Sequence, residues 1–114
     1  MQKRGSINQI EKLPFENKTK EKISILVDRL SQFPEIHRIV LFGSYARMEQ
    51  KLGSDLDILA LTTGELPREL RGGLHSEFEE QRADLVFYSE EQFAASECTL
   101  VKNIRRDGVL LWEA

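Results

Sequence analysis

Two apolar runs constrain this chain more than anything else in it. Arg38-Ile39-Val40-Leu41-Phe42 is too uniformly apolar for a strand with one wet face, so it reads as a central strand covered on both sides. Asp55 to Leu61 repeats the pattern, with Leu56, Ile58 and Ala60 on one face, and is covered on both sides except at its carboxylates. Strand side chains alternate with period two, so Asp55 and Asp57 project to the same side. Two neighbouring carboxylates repel, and one is normally pushed towards protonation. A shared divalent cation is the simplest arrangement that keeps both ionised. Between the runs, Gly43-Ser44 stands at a strand-to-helix turn, where helix N-terminal amides favour phosphate oxygens. An anion grip beside a metal grip points to a nucleotide.

The rest of the chain supplies the cover. Residues 1–16 show no sustained periodicity, contain Gly5 and Pro14, and are expected to form an irregular arm ahead of a domain spanning 17–114. Asn17 or Thr19 is placed to cap a helix whose stripe is Ile23, Leu26, Val27, Leu30 and Phe33, with Pro34 ending it. Thr62-Thr63-Gly64 turns the chain, and Pro67 opens a second helix with Leu66, Leu70, Leu74 and Phe78 on its apolar side. Gly72-Gly73 should weaken that helix by roughly 1 kcal/mol each relative to Ala, enough to predict a break or kink. A third strand runs from Ala83 to Tyr88. Ser89-Glu90-Glu91-Gln92 then reads as a capping box for one long helix carrying Phe93, Leu100 and Ile104, closed by Gly108. Val109 to Trp112 is a last short strand. Helices alternating with strands predict an α/β fold, a small mixed sheet of about four strands with flanking helices.

Composition narrows the function. With 114 residues and a net charge of −3 the chain fits one domain, and its mild acidity argues against nucleic-acid backbone binding as the main activity. Charge is unevenly spread: residues 1–22 carry six Lys/Arg against three Glu, whereas residues 77–97 hold seven acids against Arg82 alone. Cys98 is the one cysteine, which excludes an internal disulfide and a cysteine-based zinc site, and its neighbours predict a buried helical thiol. No apolar run approaches the length of a membrane span and the N-terminus lacks the apolar core of a signal peptide, so a cytoplasmic protein is expected.

Asp84 turns the carboxylate pair into a site. A carboxylate inside the apolar run Ala83-Asp84-Leu85-Val86 is costly unless paired, hydrogen-bonded or bound to metal. If the second and third strands are neighbours, Asp84 faces the same space as Asp55 and Asp57, and three converging carboxylates suit one or two Mg²⁺ ions. Gly43-Ser44-Tyr45-Ala46-Arg47, a short connector, then Ser54-Asp55-Leu56-Asp57 and the later Asp84 together resemble the minimal nucleotidyltransferase domains of the DNA polymerase β-like superfamily. The likeness extends from about Ile23 to Trp112. Met48 departs from it, standing where that family usually has Gly after Ala-Arg.

The resemblance implies Asp55, Asp57 and Asp84 as catalytic ligands of Mg²⁺, two ions in number, with ATP as substrate. It implies Gly43, Ser44 and Arg47 as the nucleotide-binding set, Gly43 giving the phosphates close approach, Ser44 donating to the β- or γ-phosphate and Arg47 clamping a phosphate. Solvation at the surface is an equal reading for Arg47. The domain is too small to hold an obvious acceptor site, so the acceptor is expected on another chain. Stand-alone domains of this kind act as antitoxins that transfer AMP from ATP to a tyrosine of a helical HEPN toxin, and this activity is the first expectation. A two-component transferase for a small hydroxyl compound, with a separate helical substrate-binding subunit, is the second. A non-catalytic binding antitoxin is the third, and three costly carboxylates argue against it. No membrane and no direct nucleic-acid binding are expected.

Overall fold

The structure is a computed structural model that describes residues 7–114. Its elements are β1 (Ile7–Asn8), a 3-10 turn (Ile10–Lys12), α1 (Asn17–Ser31), β2 (Ile36–Phe42), α2 (Gly43–Ala46) and β3 (Leu56–Thr62), followed by α3 (Arg68–Glu80), β4 (Ala83–Ser89), α4 (Glu90–Ala95), α5 (Thr99–Asp107) and β5 (Val109–Glu113). The sheet order is β1-β5-β2-β3-β4. β2 lies antiparallel between β5 and β3, as its uniform apolarity requires, and β3 runs parallel to β4 across the α3 connection. Four strands of five to seven residues make the mixed sheet, and two-residue β1 adds a fifth at the edge.

Helices cover both faces. Ile23, Leu26, Val27 and Leu30 of α1 and Leu74 and Phe78 of α3 join one core cluster with Ile39, Leu41, Ile58, Ala60 and Leu85 of the sheet. On the other face Phe42, Leu59 and Leu61 meet Ile104 of α5, with Val40, Val86, Tyr88 and Phe93 packed around them. Each fully buried Leu, Ile or Phe stabilises by roughly 1.5–3 kcal/mol, so the two layers fix which way every strand residue points. Among the described residues no helix is long and apolar enough to cross a membrane.

Five local expectations need correction. Ile10 and Leu13, set in the expected irregular arm, are buried in the main core, and Asn8 pairs with Trp112 of β5. Two isolated apolar residues give too little periodicity to announce this, although a long-range partner holds them. Neither Asn17 nor Thr19 caps α1: Glu16 occupies that position and makes no side-chain cap bond. The Gly72-Gly73 pair does not break α3, which runs continuously for 13 residues because Leu74 and Phe78 pin it to the sheet. The expected single helix after Ser89 is two. The capping box at Ser89 and Gln92 forms as read, but extended backbone at Ser96 and Cys98 ends α4 and starts α5. Cys98 is therefore an exposed residue at the start of α5, not a buried helical thiol.

Candidate active site

The register places the carboxylates. Asp57 stands opposite Asp84 across the parallel β3–β4 pair and opposite Phe42, the last residue of β2, on its other side. Both carboxylates share the α5 face of the sheet with Leu59, Leu61 and Val86, at the end where β3 and β4 begin. Immediately after Phe42, Gly43 has φ +74, and a Cβ on it would lie 2.0 Å from Asp57 Oδ2. Only glycine fits this position, both for its left-handed backbone and for its contact with the carboxylate. The α2 turn and the carboxylate pair are thus one packed unit.

Its electrostatics are unfavourable in a specific way. The Asp57 carboxyl is raised from 3.8 to about 6, first by burial and then by the Asp84 charge, a hydrogen bond with Asp84 and the Asp55 charge. Arg47, which ends α2, opposes the rise and also makes a 2.7 Å ion pair with exposed Glu49. Asp55 lies just before β3, exposed, with Oδ1 3.5 Å from Arg82 Nε. Arg82 also donates from Nη2 to the Gly53 carbonyl at 3.0 Å.

All three acidic residues thus occupy one end of β3–β4, with Asp57 and Asp84 side by side and Asp55 turned towards Arg82. Among the described residues no three His, Cys, Asp or Glu side chains close into a metal-ligating group. The donor set nevertheless fits a divalent cation: hard carboxylate oxygens, held together against their own repulsion, with a glycine backbone pressed against one of them. Beyond Asp84 a shallow depression of about 370 Å³ opens, lined by Phe42, Asp57, Asp84 and Val86, with His75 and Glu79 of α3 and Leu100 of α5 at its sides.

The basic residues of α5 are engaged in local pairing. Lys102 lies 3.7 Å from Glu97, Arg105 donates to the Phe93 and Ala94 carbonyls, and Arg106 pairs with Asp107. Trp112 is buried in the core and Tyr88 packs edge-on to Phe93, as packing residues do. Arg82 is the site neighbour that sequence reasoning missed. Its signal was positional: it follows the end of α3, where glycine commonly ends a helix, and it adopts φ +58.

Comparison with known proteins identifies the family. The sequence profile described as "Polymerase beta, Nucleotidyltransferase" matches residues 21–114. A solved toxin–antitoxin structure with AMP-PNP contains a chain 25% identical, covering 82% of this chain and 73% of that one at a TM-score of 0.58. A candidate nucleotidyltransferase from Sulfolobus solfataricus is 26% identical over 79% of this chain and 76% of that one, with a TM-score of 0.57. The complex of tri-AMPylated Shewanella oneidensis HEPN toxin with MNT antitoxin is similar in fold, at 23% identity, 82% and 69% coverage and a TM-score of 0.53. No curated protein sequence matches the chain. With residues 21–114 matched by the family model, the chain belongs to the polymerase beta nucleotidyltransferase family.

Proposed function

We propose that this chain is an antitoxin that transfers AMP from ATP to a tyrosine hydroxyl of a helical HEPN toxin. The observation that carries the reading is the Asp57–Asp84 pair, with Asp57 packed against Gly43, a charge arrangement that costs stability. Two likenesses support it: the complex with AMP-PNP, and at the level of fold the complex holding an AMPylated HEPN toxin.

Asp55, Asp57 and Asp84 would hold the magnesium ions, which when bound neutralise charge on the triphosphate and on the attacking and leaving oxygens. The chain's own residues do the rest. In this reading the phosphates lie on the Gly43 side of Asp57, and the acceptor reaches Asp84 through the depression that both carboxylates line. Gly43 lets the triphosphate approach the backbone, Ser44 donates to a β- or γ-phosphate oxygen, and Arg47 offers a guanidinium to the departing pyrophosphate. Asp84 takes the proton of the attacking hydroxyl. A bond forms between that oxygen and the α-phosphorus as the bond from the α-phosphorus to the bridging oxygen breaks, and pyrophosphate leaves in line. Phe42, Val86 and Leu100 offer an apolar surface suited to an aromatic ring beside Asp84.

The test is to incubate the protein with its HEPN partner, labelled ATP and Mg²⁺, and to locate the label by mass spectrometry. Label on a partner tyrosine, lost in Asp57→Asn, is the expected result. Label that appears only when a small hydroxyl compound is added would assign the two-component reading. Neutralisation that survives Asp57→Asn without label would leave a binding antitoxin.

A further inference from the structure

Arg82 breaks a local rule at a place where doing so costs stability. It follows α3, its N–H bonds to the Glu79 carbonyl, and its φ of +58 is one that glycine adopts freely and arginine does not. A non-glycine residue held there is a reason to look for a function. Its groups converge on the segment that leads into β3. The carbonyl accepts from Leu56 N–H at 3.2 Å, Nη2 donates to Gly53 O at 3.0 Å, and Nε reaches Asp55 Oδ1 at 3.5 Å. Gly53 is itself at φ +88. Lys22 of α1 adds a second positive charge, its ammonium lowered by burial first and then by Arg82, against the opposing pull of Asp55.

We propose that Arg82 is a positioning residue, a latch that holds Asp55 outside the carboxylate pair until a divalent cation displaces it. The inference rests on the reading of Asp55, Asp57 and Asp84 as metal ligands. Its physical basis is charge balance. Without a cation, three acids placed at one end of two strands repel. The Arg82 guanidinium removes one of them from the cluster. At 3.5 Å, with 66% and 48% of the two side chains exposed, the contact is weak enough to be exchanged for a metal. Gly53 O and Leu56 N–H remain bonded to Arg82 through that exchange, so the strand start stays fixed while the carboxylate turns.

The test is a Mn²⁺ titration of the full chain without nucleotide, following the signal of the free ion by electron paramagnetic resonance. Arg82→Gly suits the φ of this position and removes the latch without backbone strain, and Arg82→Gln keeps a donor for Gly53 O. Both are expected to bind Mn²⁺ roughly two- to fivefold more tightly than the native chain, the range that an exposed ion pair allows. Lys22→Gln, which removes a nearby charge but no bond to Asp55, is expected to have less effect. Native affinity retained in both Arg82 variants overturns the latch and leaves the metal reading standing. So does equal tightening by Lys22→Gln, because general charge would then explain it. Absence of Mn²⁺ binding in the native chain and both Arg82 variants overturns the latch and the metal reading together. A purely structural Arg82 would change thermal stability and leave Mn²⁺ affinity where it was.

Discussion

The parallel pair β3 and β4 is hollow at both ends, and the two hollows differ in kind. The larger, about 580 Å³, lies where the strands finish, between Thr62–Leu66 and Phe87–Gln92. There Thr62 Oγ1 donates to Gly64 O at 2.7 Å, Ser89 and Gln92 close a capping box, and Arg38 grips Glu90 through two bonds. Arg71 Nε is the buried side-chain nitrogen at that end without a partner among the described residues. The smaller hollow lies where the strands start, and its carboxylates repel. Backbone strain divides in the same way. Of the positive φ values among the described residues, Gly43, Met48, Gly53 and Arg82 belong to the carboxylate end or its connector, and Gly64 alone to the other. Volume marks the end whose charges are mostly paired, whereas repelling carboxylates and backbone strain mark the end proposed to carry the chemistry.

Asp57→Asn tests that contrast most severely, because its effects on activity and on stability should be opposite. If Asp57 holds the metal as proposed, its loss should lower transfer by at least about a hundredfold, since removing mere outer-shell partners already costs ten to a hundredfold. In EDTA, urea unfolding at pH 7 should show the variant more stable by on the order of 1 kcal/mol, with the half-exposed site discounted for solvent screening. The sign follows from linkage. The folded state keeps the Asp57 proton to about pH 6 and the unfolded chain releases it near 3.8, so the native protein loses stability as pH rises between these values. The variant lacks that loss. A variant no more stable than the native chain at pH 7 would remove the strain from this end of the comparison.

The opposite end should respond in the other direction. Arg38→Ala strips Glu90 of its partner and is expected to cost about 1 kcal/mol at pH 7 while leaving transfer unchanged. The Glu90 carboxyl is held below its ordinary 4.5, first by the hydrogen bond from Arg38, so its contribution is present above that pH and fades as pH falls. Unfolding curves across pH 3.5–7 should therefore tilt oppositely in the two variants relative to the native chain. A loss of transfer in Arg38→Ala would mean that the paired end takes part in the reaction after all.

Much of this was legible in the sequence because the carriers of the signal are local or periodic. The α1 stripe of Ile23, Leu26, Val27 and Leu30 is buried throughout, and the uniformly apolar Arg38–Phe42 run became the strand with neighbours on both sides. The placing of Asp84 beside Asp57 needed only that β3 and β4 be neighbours, and the register supplies it. What stayed hidden depends on distant partners or on competing local bonds. Ile10 and Leu13 are held by the core rather than by a pattern of their own. The break between α4 and α5 falls between Phe93 and Leu100, which keep a helical spacing of seven across it, and there Ser96 accepts a bond from Cys98 N–H and draws the chain out of the helix. Arg82 reaches Asp55 from 27 residues away, and no spacing rule anticipates such a contact.

Met48 gives the finest test of where the strain resides. It is exposed, at 55%, and adopts φ +59 in the connector between α2 and β3. Its N–H bonds to the Tyr45 carbonyl at 3.2 Å, so the turn is fixed by hydrogen bonding and the side chain contributes little. A left-handed L-residue costs roughly 1–2 kcal/mol, and glycine avoids it, although its freer unfolded chain returns part of that gain. Met48→Gly should therefore stabilise the protein by about 0.5 kcal/mol, seen as a higher urea midpoint at unchanged slope. This also explains why the position takes glycine in the family pattern that the sequence otherwise follows. A neutral or destabilising result would show that the Met48 side chain makes a contact worth more than the backbone strain, and that strain at the carboxylate end is confined to Gly43, Gly53 and Arg82.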